Sequence, residues 1–203
     1  MIAPISKTTR ESPEYPDGLL QISNPLNEEL VFMRPTLIPS ILQVVGKNQN
    51  EFGEMKIFEL ANVYLPKNKR SLPNEIKMLC GALTNTNFYK TKGIIEALLS
   101  ELGINDYQIF SLFKDSAEKI FSYPDTARIK VENTVLGTFG KVELTVARKF
   151  EIKQEIFLFC LNFDQLVKHA TLIRKYIPIP KYPAIIEDLS FVVPPKTQVG
   201  NIV

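Results

Sequence analysis

The stretch MKIFELANVY at residues 55–64 alternates in a period of two. Ile57, Glu59, Ala61 and Val63 face one way; Phe58, Leu60, Asn62 and Tyr64 face the other. Only an extended strand places residues so. A loop rich in proline and charge, LPKNKRSLPNE, follows it, and a second and more apolar run, IKMLCGALT, follows the loop. This strand, basic loop and strand constrain the fold most: they commit the chain to a sheet built from hairpins.

Other segments supply the layers that such a sheet needs. In RPTLIPSILQVVGKNQN, residues Leu37, Ile38, Ile41, Leu42 and Val45 recur at helical spacing. Pro35 and Pro39 fit only in or before the first turn, where no intrahelical N–H is lost. FYKTKGIIEALLSELG reads as the clearest helix, with Ile94, Ile95, Leu98, Leu99 and Leu102 as its apolar stripe and Gly103 as its stop. Gly93 is expected to permit close packing there. LLQIS at 19–23, YQIFSLF, TARIKVEN, VLGTFGKV and QEIFLFCLNF read as strands, and VELTVARKF and FDQLVKHA as short helices. The glycines of GTFGKV read as marks of a bulge or of close packing rather than as a phosphate cradle. This order of elements indicates an α+β domain on a mainly antiparallel sheet.

Residues 1–18 read as a lead-in and 19–175 as the domain. After His169 come alternating prolines and one further strand, AIIEDLSFVV at 184–193. One strand cannot bury a core alone, so 178–203 reads as the start of a second, truncated domain.

Composition narrows the function classes. Among 203 residues, 45% are apolar and 23% charged, which is ordinary for a globular domain. The net charge of +2 does not announce a nucleic-acid binder. Cys80 and Cys160 both lie in apolar runs and read as reduced, buried thiols of a cytoplasmic protein. With a single histidine, His169, they have no metal-ligand spacing. No run suits a membrane span. Neither GxGxxG, GxxxxGK[ST] nor GxSxG occurs. Lys67, Lys69 and Arg70 could grip phosphate, but a solvated hairpin tip is the commoner fate of such a loop.

Taken together, ISNPLNEELVFMRPTLIPSILQVVGKNQN, KIFELANVY, FYKTKGIIEALLSELG, YPDTARIKVENTVLGTFGKV and YPAIIEDLSFVV resemble, in that order, the bacterial-type phenylalanyl-tRNA synthetase β subunit family. The resemblance implies a class II aminoacyl-tRNA synthetase-like antiparallel sheet flanked by helices, followed by a truncated ferredoxin-like anticodon-binding segment. It implies a partner, the catalytic α subunit, in an (αβ)2 assembly that charges tRNA(Phe) in the cytoplasm, with ATP and Mg serving the whole enzyme. In catalytic class II domains the strand similar to ELANVY runs on into an arginine that binds ATP; here Leu65 follows Tyr64. Arg148 is the one arginine near the expected place of the later ATP motif. The chain is therefore expected to be catalytically silent by itself, with no catalytic, cofactor or metal residues of its own. Arg34, Leu37, Ile38, Ile41, Leu42 and Val45 are the expected subunit interface. Lys67, Lys69, Arg70 and Lys181 are the expected RNA contacts. The competing readings are a free-standing ATP-dependent ligase and an RNA-binding module.

Overall fold

The structure, a computed structural model, describes residues 19–26, 31–67, 71–112, 119–171, 181–183, 185–194 and 197. The chain divides into two compact units, Met1–Ile173 and Arg174–Val203. In the first, the elements run α1 (Ile38–Asn48), β1 (Lys56–Leu65), β2 (Asn74–Thr84), α2 (Phe88–Glu101), β3 (Gln108–Ser111), β4 (Phe121–Val131), β5 (Thr134–Val142), α3 (Leu144–Lys149), β6 (Ile156–Asn162) and α4 (Phe163–His169). The six strands form one sheet in the order β1-β2-β6-β5-β4-β3, and every neighbouring pair is antiparallel. The last strand in sequence thus joins the β1–β2 hairpin to the β3–β4–β5 meander.

Alternation along the strands divides the core into two layers. Ile156 and Leu158 of β6 pack with Val63, Cys80 and Ala82, and with Ile38, Ile41, Leu42 and Val45 of α1 and Val146 and Ala147 of α3. Leu161 and Phe159 point to the opposite face, with Ile129, Leu136 and Phe139, under Ile95 and Leu99 of α2 and Leu166 of α4. Each face of β6 therefore has its own helical cover, which is why this strand reads as a continuous apolar run.

Local chemistry sets the helix ends. Pro39 lies in the first turn of α1, where its missing N–H removes no intrahelical bond. Asn87 caps α2 through its side chain, accepting from Lys90 N at 2.9 Å. Gly103, at φ +70°, ends that helix, and Ile104 N donates back to Leu99 O at 2.9 Å.

Four expectations change. The strand at 19–23 is a single bridge, Gln21 to Phe32. Residues 185–194 form no strand; Ile185, Ile186 and Leu189 are exposed, and no neighbouring strand among the described residues offers them a ladder. Ile94 lies at the margin of the α2 stripe, 40% exposed, and Thr91 takes the buried place instead. A Cβ at Gly93 would meet nothing within 4 Å, so this glycine permits no close packing inside the chain. Gly93→Ala is accordingly expected to stabilise the unit by about 0.5–1 kcal/mol, because a mid-helix glycine costs backbone entropy without return here. Thermal unfolding checks this; a lower midpoint would contradict it.

Candidate functional site

One transverse row of side chains crosses the α1 face of the sheet. Register sets Glu59 opposite Cys80, Cys80 opposite Cys160, Cys160 opposite Thr138, and Thr138 opposite Arg128. Directly opposed residues share a face, so five strands contribute one residue each to this row. A concavity of about 420 Å³ opens beside it, where α1 begins. Its walls are largely apolar: Leu37 and Ile38 from the start of α1, Val63 and Leu65 from β1, and Ile76 and Met78 from β2. Arg128, Thr138, Asn162 and Cys160 bring the polar atoms.

The edge of this site is held by Arg34. Its side chain is 5% exposed and reaches Glu59 Oε1 through Nη1 at 2.7 Å. Its Nε donates to Asn62 O at 3.2 Å, and its own carbonyl accepts from Tyr64 N at 2.9 Å. These three bonds join the segment before α1 to the outer edge of β1, satisfying groups that an edge strand would otherwise leave to solvent.

The expected interface residues fall inside the chain. Leu37, Ile38, Ile41, Leu42 and Val45 are buried in the core, and Arg34 is buried in its ion pair. They hold α1 against the sheet, with Leu37 and Ile38 also lining the concavity; the outward side of the helix carries Gln43, Val44 and Lys47, with Val44 48% exposed. Of the expected RNA contacts, Lys67 is exposed after β1, and Lys181 is exposed in the second unit. Lys69 and Arg70 lie outside the described residues. Arg148 is exposed on α3 and does not line the concavity, whereas Leu65 does. His169 closes α4, half-buried, and does not line it either.

Sequence reasoning missed Arg128, Thr138 and Asn162 as companions in one concavity. They come from three strands and share no local motif, so only the register of β4, β5 and β6 brings them together. The pKa shifts of two groups do not point to acid–base work there. The Glu54 carboxyl is held below its ordinary value by its hydrogen bond to Lys56, then by that ammonium's charge. Burial, then the Glu96 carboxylate, pushes the Tyr107 hydroxyl up. Neither residue lines the concavity. Among the described residues, no group of three or more His, Cys, Asp or Glu side chains could hold a metal ion. No helix there is long and apolar enough to cross a membrane.

Comparison with known proteins bears on the same segment. The family described as phenylalanyl tRNA synthetase beta chain CLM domain matches residues 6–163. The phenylalanine–tRNA ligase beta subunit of Clostridium acetobutylicum is 33% identical over 179 residues, covering 87% of this chain and 22% of the relative. That of Carboxydothermus hydrogenoformans is 35% identical over 184 residues, covering 84% and 22%. The chain thus spans under a quarter of the length of these two relatives. Among solved structures, a pyrrolysyl tRNA synthetase of Desulfitobacterium hafniense superposes with a TM-score of 0.54 at 18% identity, over 71% of this chain and 51% of that one. At that identity the likeness concerns the fold: a synthetase-type antiparallel sheet with helices.

Proposed function

This chain belongs to the phenylalanyl-tRNA synthetase β chain family, and on that premise we propose that it is a catalytically silent synthetase-like module that supports assembly with the catalytic α subunit. The whole (αβ)2 enzyme would use ATP and Mg to charge tRNA(Phe) in the cytoplasm. The observation that carries the reading is Leu65 in the wall of the concavity at the end of β1. A leucine offers neither charge nor donor to a phosphate or an activated carboxylate. Preorganised donors of that kind are typically worth roughly 3 kcal/mol or more of transition-state stabilisation each. Arg148, the other arginine considered, is exposed on α3 and does not line the concavity.

Two experiments test this reading. ATP–pyrophosphate exchange with phenylalanine is expected to stay at background for the chain alone; exchange above background would overturn catalytic silence. For assembly, Leu37→Asp is uninformative, because it places a charge in the core. Val44→Asp is the better probe, since Val44 is half exposed on the outward side of α1. Its co-purification with the α subunit is expected to fall while its circular dichroism stays that of the parent. Unchanged assembly would move the interface off this helix.

A further inference from the structure

We propose that Cys80 and Cys160 form a dithiol that closes to an intramolecular disulfide under a hydroperoxide. The two are direct partners in the antiparallel pairing of β2 with β6. Opposed residues in such a ladder have Cα atoms about 4.5 or 5.5 Å apart, inside the range of roughly 4.4–6.8 Å that a disulfide spans. Both side chains belong to the same face: Cys80 is a member of the α1-side core, and Cys160 packs against that core. Neither is in a disulfide in this structure. Residues 80 and 160 are far apart in sequence, so only the late insertion of β6 beside β2 makes them neighbours.

Their exposures differ in a way that assigns their roles. Cys160 is half-buried and lines the concavity, which gives a small oxidant a route to its sulfur. Cys80 is fully buried behind it. Cys160 Sγ, as thiolate, attacks one oxygen of hydrogen peroxide; the O–O bond breaks, and hydroxide leaves and takes up the thiol's proton as water. The product is a sulfenic acid on Cys160. Cys80 Sγ then attacks that sulfur; the S–O bond breaks, and the departing hydroxide takes the Cys80 proton as a second water. Two thiols are oxidised by two electrons, and one peroxide is reduced to two waters. The new bond ties the β1–β2 hairpin covalently to β6 across the centre of the sheet.

The chain has two cysteines in all, so intact mass reads the outcome directly. The protein is treated with dilute hydrogen peroxide, quenched in acid, unfolded, and alkylated with N-ethylmaleimide. The expected product is a monomer lighter by the mass of two hydrogens, with both alkylation sites lost and both restored by dithiothreitol. Two alkylatable thiols, a sulfinic acid on Cys160, or a cross-linked dimer as the main product would each overturn the proposal. In Cys160→Ala, checked for folding by circular dichroism, Cys80 is expected to remain alkylatable after the same treatment. Oxidation of Cys80 there at the parental rate would overturn the route through Cys160.

Discussion

Gly137→Ala is expected to lower the unfolding free energy by about 3 kcal/mol or more, at or beyond the upper end of ordinary overpacking costs. Gly137 lies on β5, between β4 and β6, opposite Ile129 on one side and Leu161 on the other. A Cβ there would overlap the Cys160 carbonyl oxygen and sit 2.8 Å from Leu161 Cα. Both obstacles are backbone, so no rotamer change relieves them, and the β5–β6 ladder itself must move. That ladder joins the two halves of the sheet, so a displacement here strains both core layers. Urea unfolding followed by circular dichroism measures the effect. A midpoint unchanged from the parent would show that β5 shifts at little cost. Gly93→Ala is the internal control: the same substitution at an open position is expected to act in the opposite direction.

Arg34→Met is expected to cost about 2–3 kcal/mol, the scale of losing hydrogen bonds made by a charged group. Methionine keeps much of the side chain's length and apolar stem but removes both donations, to Glu59 Oε1 and to Asn62 O. The loss falls short of the roughly 3–5 kcal/mol of a fully buried broken pair, because Glu59 is a third exposed and water reaches its carboxylate. Adding Glu59→Gln to Arg34→Met is expected to cost much less than the sum of the two single changes, since the second removes the charge stranded by the first. Chemical denaturation of the four proteins closes this cycle. Strict additivity would show that the ion pair contributes nothing. Arg34→Lys is expected to restore only part of the stability, because an ammonium on a flexible stem cannot reproduce the guanidinium's two-directional donation.

Much of the architecture was legible in the sequence. The period-two run at 55–64 and the apolar run at 76–84 became β1 and β2, and the apolar spacing from Leu37 to Val45 became the buried side of α1. The glycines of GTFGKV were readable as close-packing residues, and the obstacles around Gly137 and Gly140 bear that out. Errors arose where local pattern leaves a choice to the environment. An apolar helix stripe predicts which side chains are buried, but not whether their own core or a partner buries them. For α1 the stripe lies in the chain's own core, and Val44, an apolar residue that the stripe excludes, is half exposed. The run at 184–193 has strand composition, but a strand requires a neighbour, and composition does not provide one.

The sequence by itself determined the kinds and order of the elements from α1 to α4, the long apolar run that became β6, and Leu65 at the step after Tyr64. These are local properties: periodicity, turn chemistry and residue identity act over a few residues. Only the tertiary structure decided the strand order, and with it the row Glu59, Cys80, Cys160, Thr138 and Arg128. The physical reason is that pairing between distant strands is selected by the burial of both sheet faces at once, a condition no single segment carries. The two cysteines show it most directly. As letters they are two apolar-run thiols; in the sheet they are opposed partners, one in the core and one in the wall of a concavity.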